Sequence, residues 1–174
     1  MKNIFCEVTS DPLDISRYVE LVADPGAGAI STFTGVTRNN FQGKTVIKLD
    51  YEAYTPMALK KLQELAHQVT NKWSVCKVAI AHRVGTVLVG EPSVIIAVSS
   101  AHRRESLEAV HWAIDELKAS VPIWKKEFFE DGSVWKENEE SRRLLAQPPA
   151  GGAVAAAVVA GAAEGGAAGA GGGR

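Results

Sequence analysis

The chain has 174 residues, of which 46% are hydrophobic, and 19 Lys and Arg stand against 20 Asp and Glu for a formal net charge of −1. That length supports one domain with a real core, plus extra sequence. The balanced charge excludes a global pull towards nucleic acid or an anionic membrane, so any anion site has to come from local placement of cations.

Ile4 to Thr9 alternates well enough to predict a first strand. Asp11-Pro12 punctuates it, and Ile15, Val19 and Val22 predict a short amphipathic helix that Pro25-Gly26 stops. Gly28 to Gly35 reads as a strand of small residues. The polar segment from Val36 to Lys44 lacks apolar periodicity and reads as a mobile loop carrying Arg38 and Lys44. Val46 to Ala53 predicts a half-buried strand, with Ile47, Leu49, Tyr51 and Ala53 on one parity and Val46, Lys48, Asp50 and Glu52 on the other. Pro56 suits the first turn of a helix whose buried side is Ala58, Leu62, Leu65, Ala66 and Val69. A strand through Val78 and Ile80 ends near His82-Arg83, and a short Thr86–Val89 strand lies between turns at Gly85 and Gly90-Glu91-Pro92.

The β-branched run Val94 to Val98 then predicts a buried strand that hands over, through Ser99-Ser100-Ala101-His102-Arg103, to a helix. Leu107, Val110, Ile114 and Leu117 mark the buried face of that helix from Arg104 to about Ser120. Pro122 ends it, and Ile123 to Phe129 follows as a strand bearing Lys125 and Lys126. The turn at Asp131-Gly132 closes a hairpin with Val134 to Lys136. Together these elements predict an α+β domain with mixed or mainly antiparallel sheets and helices packed on one side.

The long helix separates two groups of cations. His102 and Arg103 lie at its start, where backbone N–H groups favour anions, and Lys118 lies near its end with Lys125 just beyond the proline. At about 1.5 Å per residue the helix spans roughly 20–25 Å, so one chain cannot bring Arg103 and Lys118 into one small pocket by helix geometry alone. Either there are two sub-sites or a partner surface joins them.

Several chemistries are excluded by the absence of their motifs. There is no Gly-rich phosphate loop, no HExxH, no paired CxxC and no GxSxG elbow. Cys6 and Cys76 form neither a metal cluster nor a disulfide framework, and neither has the electropositive flanks a reactive thiolate needs. The residues call for no cofactor and no metal. What remains is a set of cations at loops and element boundaries: Arg38, Lys44, His102, Arg103, Lys118, Lys125 and Lys126. Such a set suits an anionic substrate, with lysine as acid, base or nucleophile. Met1 to Phe5 shows no secretory pattern, and reduced thiols agree with a cytosolic (cytoplasmic) setting.

Five blocks in series then carry a resemblance. Phe33-Thr34-Gly35-Val36-Thr37-Arg38-Asn39, Leu49 to Tyr54 with Pro56-Met57, His82-Arg83-Val84-Gly85, Ser99 to Arg103, and Leu117-Lys118 through Pro122 to Glu127 resemble the large, catalytic subunit family of molybdopterin synthase. The resemblance covers roughly residues 1–140 and implies an α/β hammerhead fold. It also implies a homodimer flanked by two copies of a small ubiquitin-like subunit, a heterotetramer in all. The partner's C-terminal Gly-Gly tail, charged as a thiocarboxylate, would insert into the large subunit's pocket. Sulfur would pass twice to cyclic pyranopterin monophosphate, making the dithiolene of molybdopterin for molybdenum cofactor biosynthesis. By position, Lys118 matches the lysine beside the inserted terminus and Lys125 a second active-site lysine. Arg38, His102 and Arg103 match the anion-binding group, and the family pocket also draws on the other protomer. The chain departs from the family at Glu139, where a basic residue is common; Arg142 or Arg143 is the alternative. A sulfur-transfer enzyme without a reactive cysteine is then expected, because the sulfur arrives on the partner. Two other classes stay open on the residues alone: a partner-independent enzyme acting on a phosphorylated small molecule, and a non-catalytic adaptor for a Gly-Gly tail.

The domain is expected to occupy residues 1–147. From Pro148 the composition collapses to Ala and Gly with a little Val, too little large apolar surface to offset ordering entropy, and residues 148–174 are expected to be a disordered appendage. Truncation after Gln147 should therefore leave the melting temperature unchanged. A drop of several degrees in a thermal melt would show that the appendage docks.

Overall fold

The computed structural model describes residues 3–136. The elements follow as β1 (Ile4–Thr9), α1 (Ile15–Val22), β2 (Ala29–Val36), β3 (Asn40–Phe41), β4 (Lys44–Ala53) and α2 (Thr55–Lys72). Then come β5 (Val75–Arg83), β6 (Gly85–Leu88), β7 (Pro92–Ser100), α3 (Arg103–Ser120), β8 (Ile123–Phe129) and β9 (Gly132–Lys136). The appendage expected at 148–174, the end of the expected domain and the Glu139, Arg142 and Arg143 positions lie outside the described residues.

Two sheets share the work. A four-stranded sheet runs β1-β5-β7-β2, with β1 parallel to β5 and the other pairs antiparallel. Both of its faces are covered, which is why β7 reads as one unbroken apolar run. Alternate residues of β5 and β7 part company across it. Val78, Ile80, Val94, Ile96 and Val98 pack under α2 and α3, whereas Ala79, Ala81, Ile95 and Ala97 meet Leu13, Tyr18 and Val22 around α1. The helices therefore do not all lie on one side: α1 takes the face opposite α2 and α3. The second sheet runs β3-β4-β8-β9, with β6 also paired to β4.

The α2 face is the expected one, with Ala58, Leu62, Leu65, Ala66 and Val69 buried and Pro56 in the first turn. On α3 the buried stripe passes through Ser106, Ala109, Val110, Ala113, Ile114 and Leu117, and Leu107 is 58% exposed. The face that approaches β2 is the one carrying Ser106, whose hydroxyl meets that of Ser31 at 2.8 Å, and Leu107, the next residue, lies about 100° round the helix from it. On α1 the buried pair is Tyr18 and Val22, because the Tyr18 phenol donates to Glu7 on β1. In β4 a register shift between Val46 and Lys48 puts Val46 and Leu49 into one cluster and leaves Ile47 51% exposed, against the simple parity reading.

The segment expected to be a loop is a tight hairpin. β3 pairs Phe41 with Lys44 across Gln42 and Gly43, both left-handed at φ 50° and 79°. That is the turn whose twist suits a two-residue hairpin, and glutamine occupies it at a cost an asparagine would reduce. Both ends of this hairpin are fastened. Thr37 exchanges backbone hydrogen bonds with Glu91 and Gly90, and Lys44 pairs with Asp131 at 2.8 Å.

Leu62 is fully buried, and Leu62→Ala should lower unfolding free energy by about 2–5 kcal/mol. Gln42→Asn should instead raise it, by less than about 1 kcal/mol. Urea denaturation of both variants checks these opposite signs.

Candidate active site

Strand alternation builds one wall of the site. On β8 the residues Ile123, Lys125, Glu127 and Phe129 share one face, and Trp124, Lys126 and Phe128 take the other. Register places Lys125 opposite Tyr51 and Glu127 opposite Leu49 on β4. Lys126 thus points away from Lys125, and its ammonium lies 5.1 Å from the Phe128 ring.

Between this sheet, β2 and the C-terminal end of α3 lies a cavity of about 560 Å³. Arg38 reaches it from the root of the β3–β4 hairpin, Lys118 from the last turn of α3, and Lys125 from β8. The backbone makes the second placement. Val121 N–H closes the helix on Leu117 O, and Pro122 turns the chain straight into β8, so Lys118 and Lys125 flank one sharp corner. Phe33 and Phe41 supply apolar wall, and neither cysteine lines the cavity. Burial pushes the Cys6 thiol up to about 12, which removes it as a nucleophile.

His102 and Arg103 are not brought to this cavity. Both are exposed at the opposite end of α3, and 15 residues of helix put Arg103 roughly 22 Å from Lys118 along the axis. His102 occupies the N-cap position without a side-chain capping bond.

Glu127, Tyr51 and His82 line the same cavity and escaped the reading of cations alone. Glu127 is only 2% exposed, and its Oε1 lies 3.1 Å from Lys125 Nζ. Its Oε2 is buried with no hydrogen-bond partner among the described residues, as is the hydroxyl of Thr34 on the β2 wall. A buried carboxylate of this kind is tolerated only because an ammonium sits beside it. The i, i+2 spacing from Lys125 was the available signal. Burial, reinforced by the Glu127 charge and offset by a Ser93 hydrogen bond, raises the Tyr51 phenol above its ordinary range. His82 meets the Tyr51 ring edge-on, with centroids 5.1 Å apart, and its Nδ1 lies 2.8 Å from Arg83 O. A carbonyl partner requires Nδ1 to donate, so Nε2 carries the lone pair of a neutral imidazole. Burial lowers His82 to about 4. No group of three or more His, Cys, Asp or Glu suited to a metal occurs among the described residues. No helix among them is long and apolar enough to cross a membrane.

Fold and cavity together define an α+β protein with a pocket lined by Arg38, Lys118 and Lys125 beside the buried Glu127. The chain belongs to the MoaE protein family, whose model matches residues 8–120. It is 54% identical over 128 residues to the molybdopterin synthase catalytic subunit of Arabidopsis thaliana, covering 74% of this chain and 65% of that one. The human catalytic subunit is likewise 54% identical, over 132 residues, covering 76% of this chain and 70% of the relative. Among solved structures, the crystal structure of molybdopterin synthase from Staphylococcus aureus matches with a TM-score of 0.72 at 39% identity. That match covers 75% of this chain and 96% of that one.

The neutral His82 makes stability depend on pH. Its folded value of about 4 lies below the ordinary 6.5, so the unfolded chain binds the extra proton between them. The contribution is complete above about pH 6.5 and is lost as pH falls towards 4, to an amount on the order of 3 kcal/mol. Urea denaturation across that window should show the decline in the native chain and a shallower one in His82→Gln.

Proposed function

We propose that this chain is the catalytic subunit of a molybdopterin synthase, a sulfurtransferase. It takes sulfur from the thiocarboxylated C-terminus of a small ubiquitin-like subunit and delivers it to cyclic pyranopterin monophosphate, forming the molybdopterin dithiolene. The observation that carries the reading is the convergence of Arg38, Lys118 and Lys125, from three different elements, on one cavity that neither cysteine lines. Such a pocket attracts anionic groups and supplies ammonium donors while offering no sulfur of its own. A partner that brings the sulfur on a flexible terminus completes it.

Roles follow from position. Lys118 projects from an exposed helix end, where a tail entering from solvent meets it first. Its ammonium stabilises the charge that develops at the partner's terminal acyl group and can move a proton there. Lys125, held by Glu127, lies deeper in the wall and orients the acceptor, with Arg38 holding an anionic group of the substrate. His102 and Arg103 serve the anion site of a second protomer in a homodimer. That arrangement answers their separation from Lys118 within one chain. Two small subunits on this dimer make a heterotetramer, and a cytosolic setting suits its free thiols. The catalytic domain extends to 147 and the remaining residues form an appendage without chemistry.

Lys118→Ala should fold with stability within about 1 kcal/mol of the parent, since the exposed side chain leaves the α3 stripe untouched. Sulfur transfer at saturating thiocarboxylated partner should fall about 10²–10³-fold. Lys118→Arg should rescue poorly, because a guanidinium does not give up its proton near neutral pH. Dithiolene formation measured in single turnovers checks this. Retention of more than about a third of the parental rate, against that expected loss, would reduce Lys118 to a solvated helix-end lysine.

A further inference from the structure

Lys125 is a cation of the cavity with a carboxylate and an aromatic ring beside it. Its side chain is 35% exposed. Glu127 Oε1 takes one direction at 3.1 Å, and the Phe41 ring centroid lies 6.0 Å from the same Nζ. Phe41 also lines the cavity and packs against the Val46, Leu49 and Phe129 cluster. The ring is therefore both part of the second sheet's small core and part of the wall beside the ammonium.

Its delivery there is costly enough to need a reason. Phe41 sits in a two-residue strand held by a turn with a non-glycine residue at φ 50°. The hairpin is pinned at Thr37 on one side and by the Lys44–Asp131 pair on the other, and Asn39 O accepts from Val46 N–H at 2.9 Å. Lys44, on the same hairpin, pairs with the exposed Asp131 and lies 5.5 Å from the Phe129 ring. The fastened hairpin thus leaves one aromatic face, and no competing ammonium from Lys44, beside Lys125.

We propose that Phe41 is a positioning residue for Lys125. Its ring shields one side of the ammonium while Glu127 holds another, so the remaining N–H donors are aimed into the cavity. An aromatic face near 6 Å adds attraction for the charged form and keeps water from that side. Phe41 touches no reacting atom itself and acts only through Lys125. The inference rests on the sulfur-transfer reading for its catalytic consequence, but the shielding is a property of the chain alone.

The test uses the full chain with Phe41→Ala, Phe41→Leu and Phe41→Tyr. Each is first labelled with a water-soluble amine-acetylating reagent, and Lys125 and Lys118 are quantified by peptide mass spectrometry. Loss of a shielding ring should raise Lys125 labelling about fivefold in the Ala and Leu variants, with Lys118 unchanged and Tyr behaving as the parent. Sulfur transfer at saturating thiocarboxylated partner should fall in Ala and Leu by about the same factor in kcat, and Tyr should restore it. Parental labelling of Lys125 in the Ala variant overturns the proposal whatever the turnover. Faster labelling with parental turnover overturns the positioning role, and so does lost turnover with unchanged labelling. If the parent chain itself transfers no sulfur, the functional reading fails, and the labelling still decides whether Phe41 shields Lys125.

Discussion

The pairing of β4 with β8 is the constraint on which the site depends. It runs antiparallel from Val46 opposite Phe129 to Ala53 opposite Ile123, and its register brings Tyr51 level with Lys125 and Leu49 level with Glu127. A slip of one residue would turn Lys126 and Phe128 into the cavity and send Lys125 and Glu127 to the other face. The apolar requirement of Val46, Leu49 and Phe129, buried together, opposes that slip. A small hydrophobic cluster thereby decides where two charged groups lie.

Charge in the cavity is arranged in layers. The exposed helix-end Lys118 and the exposed Arg38 stand at the surface, and Lys125 with the buried Glu127 lies deeper. Exposed cations are strongly hydrated and cost little to hold, so they can meet an incoming anion without distorting the fold. The deeper pair is different. Removing Lys125 would strand the Glu127 carboxylate in a place water barely reaches, at a cost of about 3–5 kcal/mol, whereas Lys125 itself keeps contact with solvent. The neutral His82, edge-on to Tyr51, fits the same pattern: an uncharged imidazole spares the buried wall a cation.

The β3–β4 hairpin shows how a surface segment becomes part of a site. Its polar composition, with two asparagines, a glutamine and a glycine, reads as loop, and nothing in its periodicity announces Phe41 as a wall residue. Pairing with Lys44 and packing against Phe129 give the ring its place. Anchors on both sides hold it without any long strand of its own, which is how a short element can be as well positioned as a core strand.

Local pattern alone determined a good deal. The α2 face, the limits of β1 and β8, the breaking role of Pro122 and the lysines on either side of it were all legible, because helical spacing, strand alternation and proline sterics act over a few residues. The five motif blocks, read together, pointed to the family that the comparisons then showed. Other features were decided only in three dimensions. The α3 stripe shifts from Leu107 to Ser106 because β2 comes close. α1 crosses to the opposite face because β5 and β7 bury both of their parities. Ile47 turns outward at a register shift that leaves no mark in the sequence. Glu127, His82 and Tyr51 enter the cavity through neighbours 31 to 76 residues apart in the chain, contacts that no local period encodes. The separation of Arg103 from Lys118, by contrast, was settled by helix rise alone, and tertiary packing could not change it.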